Sequence, residues 1–499
     1  MMKQPWFTGD ATALAQAIAQ GEFSAVQAME HTLADVAVMN PALNAVCLLR
    51  ADLGLETAAT LDAELSYCDT PRQRQQLMQR RPFFGVPLLI KDVGPATAHP
   101  QFPSRMGSRV FGLQGAQWPA MGTLTQRYID AGFVVFGRTT TPEMGISAST
   151  EAVAYGGPTR NPWGLAHSAG GSSGGAAAAT SAGLVTLAHA NDGAGSIRIP
   201  ASACGLIGLK PSRGLTPCGP LAGESWGGLA IDHVLTRSVR DCAAVLQATM
   251  GADPGAPYCA PAQPINTVDA LAVPPSPLRI ALCNRFFEGD AVHPEVAQAV
   301  ANFALQLQAL GHEVEEASPD FSTLDVVRPM MQVVATGIAM SLQATAAARG
   351  RPISPDELEP AVWDALRVGS AISGTDYLQA VNALHTLGRQ MAAFHTRFDL
   401  LLTPTLAEPP AALGRFAMGN PDFMDYRLGP QGLWRYSPFT PLANATGAAS
   451  ISLPAGLSTK GLPIGAMLSG QLGDDTLLLR MAAQWEAAHP GSVPLAPCG

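Results

Sequence analysis

Apolar and polar positions along this chain switch repeatedly between a helical period and short continuous apolar runs. Leu14 and Ile18, behind a capping Asp10 and ahead of Gly21, predict a first helix. Ser24 opens a second, with Val26, Met29, Leu33 and Val36 at helical spacing, ending before Asn40–Pro41. The polar, basic run Pro71–Arg81 reads as a solvated helix face. Val86–Ile90 is a buried strand with Lys91 at its end. Leu124–Asp130 predicts a helix, Phe133–Gly137 a compact strand, and Thr139–Pro142 a loop. Tyr155–Ala169 is rich in Gly and Pro and predicts a further loop. Ala176–Ala182 suits a tightly packed helix, Leu184–Ala188 a strand and Cys204–Leu209 a buried stretch.

The second half continues in the same grammar. Helices are expected over Ser238–Thr249, Pro294–Leu310 and Thr476–Ala487, and strands at Leu278–Cys283, Leu400–Thr403, Ser450–Leu453 and Ile464–Leu468, with another starting at His312–Val314. Ser322–Phe398 reads mainly helical and Leu406–Pro438 irregular, either a pocket lining or a surface loop. Alternating strands and helices of this kind make an α/β fold. We divide one large domain, 1–499, into an N-terminal helical part (10–81), a central part (82–255), a Pro-rich connector (256–277) and a remaining sheet and helical part (278–488).

Composition narrows the function classes. A chain of 499 residues, 47% apolar, can bury a large core. A net charge of −9 gives no general pull toward nucleic acid or an anionic membrane. The eight cysteines form no CxxC pair, so no zinc or thioredoxin-like site is signalled. The first residues lack the apolar core of a signal peptide, and no run of 18 apolar residues exists. The expectation is a soluble, cytoplasmic protein with a small-molecule partner, as a monomer or a homodimer.

Candidate chemistry concentrates in Ala169–Pro211, where two glycine nests, Gly170–Gly175 and Gly193–Ser196, each hold serine. Glycine costs stability where it is not needed, so the nests read as a site, with a tight structural crossover as the alternative. GGSSGG lacks the Lys-Ser/Thr ending of a phosphate loop and does not match GxGxxG. The esterase pattern GxSxG occurs around Ser172 and Ser225, but neither copy has the strand before and helix after that a nucleophile elbow needs. His189 and His233, the nearest histidines, read as packed or surface residues. Lys91 either reaches water at its strand end or extends into a pocket, where desolvation would make a neutral amine available as a base. A neutral lysine can take a proton from a bridging serine, which takes one from a nucleophilic serine.

These segments resemble the amidase signature family of serine hydrolases. The likeness is carried by FFGVPLLIKDV, RTTTPEMG, AGGSSGGAAAA, NDGAGSIRIPASACGLIGLKPSRG and PFTPLANATGAASISLPAG, in order, across most of residues 10–488. The resemblance implies an α/β/α fold with a mixed central sheet covered by helices on both faces, 82–255 being the signature core. It implies amide hydrolysis through an acyl-serine, without cofactor or metal. Lys91 would be the base, Ser172 the bridging serine after a cis peptide, and Ser196 the nucleophile. Gly193, Ala194, Gly195 and Ser196 would supply the oxyanion-hole amides, with Ser173 and Asp192 in support. Esters would be a possible side substrate.

Two departures matter. Where the family commonly has TDTGGS, this chain has NDGAGS, so Ala194 fits only if its φ is negative. Where amidotransferase A subunits often read SIRQPA, this chain reads SIRIPA. HANDGAGSIRIPAS is more similar to the branch containing cyclic-dimer and lactam hydrolases of the aminohexanoate type. A partner-dependent glutaminase subunit and a catalytically silent scaffold stand as alternatives.

Overall fold

The computed structural model describes residues 4–263 and 266–497. The chain's first three residues, two residues of the expected connector and the last cysteine, Cys498, lie outside the described residues. The described residues form thirteen strands: β1 Val46–Leu49, β2 Pro87–Lys91, β3 Val134–Thr139, β4 Arg160–Asn161, β5 Gly164–Ser168, β6 Ala188–Asp192 and β7 Ile207–Lys210; then β8 Ile231–Thr236, β9 Arg279–Leu282, β10 Glu313–Glu316, β11 Leu400–Pro404, β12 Ser450–Leu457 and β13 Pro463–Ser469. Eleven of them form one sheet in the order β1-β3-β2-β6-β8-β7-β12-β13-β11-β9-β10. Pairing is mixed: β2 lies parallel to β3 and β6, whereas β8 is antiparallel to both β6 and β7. Helices flank this sheet, and the architecture is α/β.

Local rules account for many boundaries. Asp10 accepts from the Ala13 amide and Gly21 closes the helix Ala11–Gln20 in a left-handed conformation. Ser24 and Gln27 form a reciprocal capping box on Ala25–Leu43. That helix does not stop before Asn40–Pro41. It runs to Leu43, which is fully buried, while Asn40 Oδ1 accepts from the Ala45 and Val46 amides and steers the chain into β1.

Other expectations shift. The strand expected over Leu184–Ala188 lies at Ala188–Asp192; Leu184–Leu187 is buried by packing in a turn, without ladder partners. The compact strand at Phe133–Gly137 runs on to Thr139, because β2 and β1 both pair with its end. The loop Tyr155–Ala169 contains the hairpin β4–β5, and the irregular segment Leu406–Pro438 holds the short helices Phe423–Leu428 and Leu433–Tyr436. Strands β1 and β8 and the helix Ala51–Ser66 have no counterpart in the sequence reading.

The long helix Thr323–Arg349 is apolar enough, by length and composition, to cross a membrane. Here its buried face, from Val326 to Leu342, packs into the same core as the far half of the sheet. Its apolar character serves interior packing. The centre of the sheet, β2-β6-β8-β7, carries the segments that the sequence marked for chemistry.

Candidate active site

Lys91 is the last residue of β2, a strand buried along its whole length. The Arg138 guanidinium donates to the carbonyls of Lys91, Thr97 and Phe102 and fixes the strand end. The Lys91 side chain does not reach water. Nζ donates to Ser172 Oγ at 2.6 Å and to Asn191 Oδ1 at 2.5 Å. Burial pulls the Lys91 pKa down to about 7, against the opposing effect of Asp232 and Asp192. A lysine there is half neutral near neutral pH. It can therefore accept a proton.

Ser172 follows a cis Gly171–Ser172 peptide. Ser173 occupies the N-cap position of the all-buried helix Gly174–Ser181, and its Oγ donates to the Asn191 carbonyl at 3.2 Å. This bond ties the first glycine nest to β6.

The second nest is organised by Asp192, the last residue of β6. Its carboxylate accepts from the amides of Gly195 (2.6 Å) and Ile197 (3.1 Å), on either side of Ser196. It also accepts from Arg198 Nε (2.9 Å) and Nη2 (3.0 Å) and from Asn444 Nδ2 (2.9 Å). Burial alone would raise the Asp192 pKa, but Arg198, Lys210 and Asn444 outweigh it and hold the group at about 2.

Gly195 has φ +129, and a Cβ there would lie 2.2 Å from Thr440 Oγ1. Glycine is required at that position. Ala194 is not among the positive-φ residues, so its methyl group is accommodated. The Gly195 amide is spent on Asp192, which corrects its expected place among the oxyanion donors. The amides of Gly193, Ala194 and Ser196 have no protein acceptor among the described hydrogen bonds.

Ser196 is half-buried and opens onto two cavities. The larger, about 210 Å³, is lined by Ser172, Asn191, Gly193, Ser196, Trp226 and Met340. The smaller, about 40 Å³, is lined by Ser196, Ala194, Ile146, Trp226, Trp434 and Arg427 among others. Trp226 forms a wall common to both, and a Cβ on Gly193 would come within 2.7 Å of its ring.

The structure places Ser172 against Lys91, Ser172 and Ser196 on the wall of one cavity, and Ser173 and Asp192 at the two glycine nests. Several neighbours were not anticipated. Asn191 sits inside the NDGAGS segment but reveals its contact to Lys91 only once β6 lies beside β2. The Lys91 amide donates to His189 Nδ1 (3.2 Å), whose Nε2 lies 3.1 Å from Asp232 Oδ1. Burial lowers the His189 pKa despite Asp232, so the ring is a neutral spacer between strands. His233 Nε2 instead meets Cys242 Sγ, and neither histidine lines the two cavities. Ser225 lines the larger cavity, but no strand directly precedes it.

Comparisons with known proteins identify the family of the chain. The family model described as Amidase matches residues 27–479. The chain is 35% identical over 490 residues to 6-aminohexanoate-cyclic-dimer hydrolases of Pseudomonas sp. (strain NK87) and Paenarthrobacter ureafaciens, covering 96% of this chain and 95% of each relative. A solved 6-aminohexanoate cyclic dimer hydrolase superposes with a TM-score of 0.86 at 33% identity over 98% of both chains. A bacterial aryl acylamidase of the amidase signature enzymes superposes with a TM-score of 0.86 at 27% identity over 97% of both chains. A match from residue 27 to residue 479 takes in both glycine nests and the lysine strand, and the chain belongs to the amidase signature family of hydrolases.

Proposed function

We propose that this amidase hydrolyses a carboxylic amide through an acyl-Ser196 intermediate, with Ser172 and Lys91 as the proton relay. The observation that carries this reading is the 2.6 Å contact of Lys91 Nζ with Ser172 Oγ on the wall of the cavity that Ser196 shares.

With Lys91 neutral, Ser196 Oγ attacks the substrate carbonyl. Its proton passes to Ser172 Oγ while the Ser172 proton moves to Nζ. The new C–O bond places negative charge on the former carbonyl oxygen, which the amides of Gly193, Ala194 and Ser196 are free to receive. Collapse breaks the C–N bond, and the proton returns along the same route to the departing amine. Water then repeats the sequence on the ester and releases the carboxylate. Ester substrates follow the same path with an easier leaving group.

Asn191 keeps Nζ on Ser172 with an acceptor that cannot itself take the proton. Asp192 keeps the loop around Ser196 in register.

The relatives named for a cyclic dimer of 6-aminohexanoate align over nearly the whole chain and support a cyclic amide as a second, narrower substrate reading. The test is steady-state hydrolysis by the isolated chain of a panel of linear aliphatic, aryl and cyclic amides with glutamine added. Carboxylate and amine should form in equal amounts, and Lys91→Ala should lower kcat by about 10²–10⁴. Turnover of glutamine alone, only with a partner protein, would overturn the reading in favour of an amidotransferase subunit.

A further inference from the structure

Arg427 lines the smaller cavity beside Ser196, and no ion pair among the described residues includes it. Every other feature of its setting fixes the side chain. Nη1 donates to the Ile146 carbonyl, 2.6 Å away, and Nε lies 3.1 Å from Met331 Sδ. Nη2 finds no protein acceptor among the described residues, yet is not sealed off in the interior. Burial lowers the guanidinium pKa to about 10, with only the neighbouring Tyr426 opposing the shift. At neutral pH the group is still a full cation.

Arg427 is half-buried, and a cation partly withdrawn from water without a counter-ion is left with an unmet charge that a bound anion would satisfy. The rest of the lining is mostly apolar, including Ile146, Val327, Val334, Leu433 and Trp434, with the hydroxyl residues Ser147, Ser196 and Ser437 between them. A guanidinium with one free edge in such a setting suits a carboxylate, which offers two acceptor oxygens and the missing charge. The cavity's small volume, about 40 Å³, suits a compact end group better than a long chain.

We propose that Arg427 is a specificity-determining residue that binds a carboxylate on the acyl part of the substrate, so that the favoured substrates are monoamides of short dicarboxylic acids. This inference rests on the acyl-Ser196 reading, because it takes the smaller cavity as the acyl side. It separates a linear acidic amide from a neutral cyclic one.

The test compares three p-nitroanilides of matched length, succinyl, 4-oxopentanoyl and pentanoyl, on the wild-type chain and on Arg427→Gln and Arg427→Lys. They place a carboxylate, a neutral carbonyl and a methylene at the same distance from the scissile bond. The wild type should favour the succinyl substrate by about tenfold or more in kcat/KM over both others. That ratio should collapse toward one in Arg427→Gln and be partly kept in Arg427→Lys, mainly through KM. Equal rates for the succinyl and 4-oxopentanoyl substrates would overturn the carboxylate assignment. Hydrolysis of the pentanoyl but not the succinyl substrate would overturn it too, and would leave the amidase reading standing. No hydrolysis of any of the three by folded protein would overturn both. The wild-type comparison needs no variant, so poor folding of either substitution does not blunt it.

Discussion

Arg198 and Asp192 form a two-pronged ion pair, Nε–Oδ2 at 2.9 Å and Nη2–Oδ1 at 3.0 Å, with both side chains fully shielded from solvent. The same two carboxylate oxygens take the amides of Gly195 and Ile197. One buried pair therefore sets the backbone on both sides of Ser196. Its net worth over an apolar pair is modest, because desolvation offsets attraction. Its value lies in geometry, and in the cost of breaking it.

Arg198→Met should destabilise the chain by about 3–5 kcal/mol, because Asp192 is then left buried without its main partner. Urea unfolding measures this. The wild-type pair also makes an acid prediction. The folded Asp192 pKa of about 2 lies below its ordinary 3.8, so the stabilisation is present above the ordinary value and is lost as pH falls through about 2. Between pH about 4 and 2 the loss from this group is about 2 kcal/mol.

The pH dependence of hydrolysis should follow Lys91. With its pKa near 7, kcat/KM should rise about tenfold per pH unit below that value and level off above it. Asp232 raises the Lys91 pKa, so Asp232→Asn removes that support and should move the rising limb to lower pH. An unmoved limb would take Lys91 out of the profile.

Asn191→Asp should do the opposite. It places a carboxylate where Oδ1 now sits 2.5 Å from Nζ, favouring the charged amine. The rising limb of kcat/KM should move to higher pH, with activity at pH 7 falling accordingly. Full activity regained at high pH would show that Asn191 acts by holding a neutral Lys91.

Much of this site was legible in the chain, and the reasons are local. Lys91 stood out because an ammonium ends an otherwise apolar strand, and Ser172 and Ser196 because glycine surrounds them. What stayed hidden depends on distant segments or on strand order. His189 read as a packed or surface residue and Asn191 only as part of NDGAGS, yet both lie on a central strand whose polar residues satisfy each other across β2, β6 and β8. The alternation in IDHVLT, with Asp232 and His233 buried beside Ile231 and Val234, hid β8 for the same reason. Asn444, Trp226 and Arg427 reach the site from elsewhere in the chain. Arg427 lies in the irregular segment read as pocket lining or surface loop and Asn444 in the PFTPLANATGAAS stretch, but nothing local singles out either side chain.

Gly195→Ala should disrupt the nest that holds Ser196. The left-handed φ is strained for alanine, and the new methyl group would meet Thr440 Oγ1. A shift of about 1 Å in the nucleophile loop costs roughly 10²-fold in rate. Kinetics beside thermal melting will show activity falling further than stability alone explains. Thr440→Ala in the same chain removes only the Oγ1 contact; the Cβ at position 440 (2.7 Å) and Ile199 Cδ1 (2.9 Å) still crowd the methyl group and the backbone strain stays, so activity should recover little.

The most direct test of the account is mass spectrometry of the chain quenched during turnover of an amide, with Ser196→Ala run in parallel. The account predicts an adduct of the acyl mass on the peptide carrying Ser196, absent from the variant, and accumulating more slowly in Ser172→Ala. An acyl adduct on Ser172 or Ser225 instead, or an unchanged adduct in Ser196→Ala, would contradict it.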